Sequence, residues 1–142
     1  MAEGVFRQMI VATPAAAIDI DSVGTHDYHA GEPPFRLAVE AAKRRGYSIG
    51  HLVARRIAPN DFDRFDMILA MDRANIMHLR TIAPTRCKQK IELLLEYGDR
   101  YHGKDIPDPY GSDAKAYDSA ISMIEDGCSG VATLLTRARS YR

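Results

Sequence analysis

The stretch Ile106-Pro107-Asp108-Pro109-Tyr110-Gly111 sets one carboxylate between two prolines, with a phenol and a glycine behind it. Each proline fixes its own φ and pushes the residue before it towards extended backbone. Asp108 is therefore held on a stiff loop and cannot join a helix. A rigid loop that presents a single carboxylate suits a general acid. It equally suits a proline-stiffened turn ahead of a helix, so the rest of the chain must decide. The other chemistry-bearing residues offer less. His26 and His29 make a His-x-x-His pair, but a metal site needs three or four ligands and no cysteine is near in sequence. Cys87 lies among Arg86, Lys88 and Lys90, cations that lower a thiol's pKa, on what reads as a loop between a helix and a strand. Cys128 falls on an apolar helical stripe and reads as an inert core thiol. His51, His78 and His102 are isolated and read as surface or core-edge residues. There is no glycine-rich phosphate loop of the Walker or dinucleotide type. Nor is either cysteine followed six residues later by arginine: those positions hold Leu93 and Leu134.

The 142 residues suffice for one domain with a real core, and we read 1–142 as a single domain. With 46% hydrophobic and 27% charged residues the chain is globular rather than disordered. Lys+Arg and Asp+Glu both number 19, so net charge gives no reason to expect nucleic acid or an anionic membrane as partner. The runs Lys43-Arg44-Arg45 and Arg55-Arg56 read as solvated surface. The apolar run Ala15 to Ile18 is far too short for a signal peptide or a membrane span. Two cysteines make no disulfide framework, and a reducing cytoplasm is the default compartment. No motif asks for a metal or another cofactor.

The elements that would position Asp108 follow from periodicity. Over residues 1–13, Ala2, Val5, Phe6, Met9 and Ile10 fall on one helical stripe, with Glu3, Arg7 and Gln8 off it and Pro14 at the end. No Ser, Thr, Asp or Asn precedes that helix to cap it. Ala17-Ile18-Asp19-Ile20-Asp21 alternates and predicts a strand, leaving through Ser22-Val23-Gly24-Thr25. Pro33-Pro34 opens a helix through Leu37, Ala38, Ala41 and Ala42, closed by Lys43, Arg44, Arg45 and Gly46. A short helix is expected near 59–62. Met67-Ile68-Leu69-Ala70-Met71 is a continuous apolar run, as for a strand covered on both faces. Asp72 is a good N-cap for a helix carrying Ile76, Leu79 and Ile82 and ending before Pro84. Lys90 to Leu94 predicts a third strand. Tyr117, Ile121, Ile124, Cys128, Val131 and Leu135 recur at steps of four and three, one clean face of a long helix, with Gly127 and Gly130 allowing close packing or a bend. Strands alternating with helices imply an α/β domain with a parallel sheet. Ligands of such sheets bind beyond the carboxyl ends of the strands. Ser22 to Thr25, Asp72 to Asn75, the Asp108 loop and the start of the first helix should gather there.

Taken in order, several segments resemble the low-molecular-weight protein-tyrosine-phosphatase family. They are Met1-Ala2-Glu3-Gly4-Val5-Phe6, Asp21-Ser22-Val23-Gly24-Thr25 and Asp27-Tyr28-His29-Ala30-Gly31-Glu32-Pro33, then Arg45-Gly46-Tyr47 and Ala54-Arg55-Arg56, and finally Met71-Asp72-Arg73-Ala74-Asn75 and Pro107-Asp108-Pro109-Tyr110-Gly111. The match runs over nearly the whole chain. It implies a three-layer fold, a four-stranded parallel sheet flanked by helices, and hydrolysis of phosphotyrosine protein or aryl phosphate through a cysteinyl-phosphate. By resemblance, Asp108 is the general acid, and Tyr28 and Tyr110 wall the cleft against the phenyl ring. Ser22 supports the phosphate loop, and Asp72 and Asn75 have a structural role. The family's phosphate loop, a Cys-x5-Arg that follows the first strand and precedes the first helix, matches nothing here. The resemblance therefore implies a domain incomplete at its N-terminus, missing the first strand and inactive as it stands. The alternative is a non-catalytic interaction protein, a pseudophosphatase that binds a partner through the remaining cleft. By the family's strand order, the missing strand would leave a slot between the strands at Ala17–Asp21 and Met67–Met71. Direct closure of the two strands, or self-association through the slot, would repair it.

Overall fold

The computed structural model describes residues 1–11 and 18–140. Along them run α1 (Ala2–Val11), α2 (Arg36–Arg44), α3 (Asp61–Arg64), β1 (Ile68–Ala70), α4 (Arg73–Ile82), β2 (Ile91–Leu93) and α5 (Ala114–Ser140), with 3₁₀ turns at Thr85–Lys90 and Leu94–Glu96. Pro14, expected to stop the first helix, and Ala17, expected to start a strand, lie outside the described residues.

β1 and β2 pair in parallel, Ile68 opposite Ile91 and Ala70 opposite Leu93. Alternate residues of a strand face opposite sides, and here both sides are covered. Ile68, Ala70 and Ile91 pack with Phe62, with Leu79 of α4 and with Ala83. Met67, Leu69 and Met71 pack with Val5 of α1 and with Ile124, Cys128 and Val131 of α5. That double burial is why Met67 to Met71 reads as unbroken apolar sequence. A third cluster joins Ala38, Ala41 and Ala42 of α2 to Ile49, Tyr117 and Ile121. The architecture is α/β, a parallel sheet between helical layers, as expected. No helix among the described residues is long and apolar enough to cross a membrane.

Local signals set the element ends. Gly46 has φ +84°. Its amide donates to the Lys43 carbonyl at 3.0 Å and the Tyr47 amide to the Ala42 carbonyl at 2.9 Å, the paired bonds of a Schellman stop. The α5 stripe from Tyr117 to Val131 is buried as its spacing predicts. Gly127 and Gly130 serve close packing rather than a bend. A Cβ on Gly130 would stand 1.7 Å from the Tyr97 carbonyl oxygen, and one on Gly127 2.6 Å from Leu94 Cγ.

Three expectations need correction. Ile18 to Asp21 does not form a strand. The alternation is real, but its acidic residues answer to side chains: Asp19 pairs with Arg64 at 2.6 Å and Asp21 with Arg55 at 2.7 Å, while Arg7 donates to the Ile20 carbonyl. The loop that follows meets another backbone at a parallel bridge, Gly24 to Arg56. Direct closure onto Met67–Met71 does not occur either, since the described sheet has the order β1-β2 alone. Finally, Glu3 is buried, not turned out to solvent.

Candidate active site

The Asp108 loop is hung from the carboxyl end of β1. The Ile106 amide donates to the Met71 carbonyl at 2.8 Å, continuing the strand edge by one bond. Arg73, at the start of α4, holds the same segment through Nη1 to Asp105 Oδ1 at 2.7 Å and Nη2 to the Gly103 carbonyl at 2.8 Å. Asp108 is exposed, and its Oδ1 accepts the Tyr110 amide at 3.0 Å, an Asx turn. Gly111 follows at φ +77°, a conformation open to glycine. Asp113 then caps α5, its Oδ1 accepting the Ala116 amide at 3.0 Å.

Aromatic rings line the loop. Tyr110 lies 5.3 Å from the His29 ring and meets Phe35 edge-on at 5.6 Å. Phe35 in turn stacks on Tyr117 at 6.4 Å. Tyr28, 79% exposed, lies 5.2 Å from His26, whose other neighbour is His78 of α4 at 5.6 Å. His29 also bonds Glu32 at 2.8 Å. The His-x-x-His pair thus splits: His26 leans on α4 and His29 on the Asp108 loop.

Ser22 is tied to the start of α1. Its Oγ donates to Glu3 Oε2 at 2.6 Å, and Glu3 Oε1 accepts Arg7 Nε at 2.9 Å. Glu3 is the supporting residue that the helical stripe concealed. Its signal was a carboxylate in the first turn of a helix, where the dipole favours it. A second brace lies behind Ser22. The Ser22 amide donates to Asp21 Oδ1 at 2.8 Å, and Arg55 joins Asp21 to Asp61, reaching Asp61 through Nη1 at 2.8 Å and Nη2 at 3.0 Å. The fork from Arg55, and then the Ala58 amide, outweigh burial and hold the Asp61 carboxyl below its ordinary value. Asp72 accepts the Asn75 amide at 2.7 Å and caps α4.

Neither cysteine lies among these residues. Cys87 lies in a 3₁₀ turn rather than an open loop. It is 2% exposed, and the Asp63 carboxylate, 3.7 Å from its sulfur, also takes the Arg86 guanidinium at 2.8 Å. Burial pushes the Cys128 thiol up to about 12.

The carboxyl end of β1 therefore carries a pinned carboxylate loop with aromatic rings beside it, and Ser22 is braced against the first turn of α1. Residues 1–140 match the family model described as low molecular weight phosphotyrosine protein phosphatase, and the chain belongs to that family. The chain is 34% identical over 129 residues to the low molecular weight protein-tyrosine-phosphatase YfkJ of Bacillus subtilis, covering 90% of this chain and 81% of that protein. It superposes on the crystal structure of YfkJ with a TM-score of 0.87 over 96% of this chain and 86% of that one, at 31% identity. A protein tyrosine phosphatase from Entamoeba histolytica, solved with Hepes in its active site, gives a TM-score of 0.87 at 29% identity, covering 97% of this chain and 88% of that one. The family match runs from Met1, so it lends no support to the expectation of a domain cut short at its front.

Proposed function

We propose that Asp108 is the proton donor of a phosphotyrosine-phosphatase site that takes a phosphotyrosine protein or an aryl phosphate. Tyr28 and Tyr110 hold the aryl ring, and Ser22 steadies the phosphate side. Asp72 and Asn75 seat the helix from which Arg73 grips the acid loop. The observation that carries this reading is the mounting of Asp108. An exposed carboxylate stands at the strand's carboxyl end, on a loop pinned to Met71 and by Arg73. In the reaction a thiolate attacks phosphorus, the S–P bond forms and the O–P bond breaks. Asp108 gives its proton to the departing phenolate. The Asp108 carboxylate then takes a proton from water as that water attacks phosphorus and the thiolate leaves.

These 142 residues contain no Cys-x5-Arg, so the nucleophile and the bidentate clamp are not among them. The alternative reading is a non-catalytic protein that binds its partner through the same face. One experiment separates the two. The chain alone should show no turnover of para-nitrophenyl phosphate near pH 6. Joined at Met1 to a family strand and loop ending in Cys-x5-Arg-Ser-Pro, it gains turnover, and Asp108→Asn removes most of that gain. A joined protein that folds and stays inactive overturns the catalytic reading.

β1 carries a ladder on one side alone among the described residues. A free strand edge is a template for pairing, and we propose that a second copy of this chain occupies it. Sedimentation of fresh protein tests this, and a concentration-independent monomer excludes it.

A further inference from the structure

We propose that Phe35 is a positioning residue for Tyr110. Its ring ties the Tyr110 ring to the core and fixes it in one rotamer. The inference rests on the reading of Tyr110 as a wall for the aryl ring, and adds what sets that wall before a substrate arrives.

Phe35 stands where the first amides of α2 need a cap. It occupies the N-cap position, with φ −59° and ψ 143°, and its side chain has no oxygen to cap with. Ser, Thr, Asp and Asn are favoured there, because their oxygens take an amide that the helix leaves unpaired. A phenylalanine gives up that bond. It is also 51% exposed, so its ring does not fill the core. What the ring does make is two aromatic contacts. It meets Tyr110 edge-on, with 5.6 Å between centroids and 67° between planes. It stacks on Tyr117 at 6.4 Å and 27°. Both separations and both geometries are those at which aromatic pairs attract.

The three rings form a graded series. Tyr117 is 2% exposed and packs with Ala41 and Ala42 of α2 and Ile121 of α5. Phe35 is half exposed, and Tyr110 is 59% exposed. Phe35 therefore passes the fixed position of a buried ring to a ring in the open. Pro33 and Pro34 lead into it, so its own backbone arrives by a stiff path. The Tyr110 backbone is already set by its amide's bond to Asp108, which leaves the ring's rotamer as the freedom still to be removed. Tyr110 also meets His29 at 5.3 Å, but that ring is itself exposed. Tyr28 touches His26 and stands outside the series. The consequence is preorganisation: a ring already held in one rotamer loses little freedom when an aryl group packs on it.

The test measures, by NMR on this 142-residue protein, the three-bond couplings that report χ1 of Tyr110 and Tyr28. In the native protein the Tyr110 couplings should be those of a single rotamer. Phe35→Ser removes the ring and supplies the favoured cap, so α2 keeps its start while Tyr110 loses its prop. The Tyr110 couplings should then move to values averaged over the staggered rotamers, with those of Tyr28 unchanged. Phe35→Leu removes the ring but keeps apolar bulk, and should give the same loss. Phe35→Tyr keeps the ring and should keep the single-rotamer values. Averaged Tyr110 couplings in the native protein overturn the proposal, as do single-rotamer couplings in both Phe35→Ser and Phe35→Leu. An equal change at Tyr28 overturns it too, by marking a general loosening. Because no turnover is measured, a failure here leaves the phosphatase reading intact, and a failure of that reading leaves these couplings standing.

Discussion

Ser22 donates its hydroxyl to the Glu3 carboxylate at 2.6 Å, joining the loop after Asp21 to the first turn of α1. The same carboxylate takes Arg7 at 2.9 Å. Glu3→Ala leaves both donors without their acceptor. It should cost about 1–3 kcal/mol in urea unfolding, and Ser22→Ala about 1 kcal/mol. The double variant should cost less than the sum of the two, because the residues share one bond. Strict additivity would show that the pair does not couple.

The contact between Gly130 and Tyr97 predicts a larger loss. A methyl group at Gly130 meets a backbone carbonyl at 1.7 Å, and backbone cannot turn aside as a side chain can. Gly130→Ala should destabilise at or above the roughly 1–3 kcal/mol typical of overpacking. Gly31 makes a useful contrast, with open space around it but φ +84°. Gly31→Ala should cost only the left-handed strain of about 1–2 kcal/mol. Thermal unfolding of the two variants checks the order.

Asp61 predicts a pH dependence. Its native pKa lies below the ordinary 3.8, chiefly because Arg55 bonds to the carboxylate. A carboxyl with a depressed native pKa contributes stability that is fully present above its unfolded value and is lost as pH falls through the native one. Stability should therefore decline as pH drops below about 3.8, and Asp61→Asn should flatten that part of the curve. Chemical denaturation at a series of acid pH values makes the comparison. An equally steep curve in the variant would assign the loss to other carboxylates.

The two thiols should be silent in the folded protein. Cys87 and Cys128 are both buried, and Cys128 is pushed up to about 12. A disulfide reagent at pH 8 should titrate neither in the native state and both in guanidinium. Rapid native reaction of Cys87 would show that its 3₁₀ turn opens easily.

The sequence made helices legible where a face repeats and a stop is chemical. The Tyr117-to-Val131 stripe, Gly46 and the Asp72 cap each rest on interactions a few residues apart, so a local reading finds them. Ile18 to Asp21 misled for the opposite reason. Its alternation matches a strand, but a ladder needs a neighbour, and the partners that arrived were Arg64 and Arg55 from far along the chain. Glu3 was hidden by the same distance, because a helical wheel marks a carboxylate as surface until a serine and an arginine bury it. The stiff loop was legible in Pro107-Asp108-Pro109. Its anchorage through Arg73 and the ring stack from Tyr110 through Phe35 to Tyr117 were not, since both join segments far apart in the chain.

The packing of α1 against α5 also fixes an order of events in time. The apolar stripe of α1 emerges from the ribosome well before its main partner, α5. At roughly 5–20 residues per second, the hundred or so residues between them take on the order of 5–20 s to make. For that interval Val5, Phe6 and Met9 have no α5 face to cover them. Synthesis rate and chaperone supply should therefore decide the yield of soluble protein more than the final stability does.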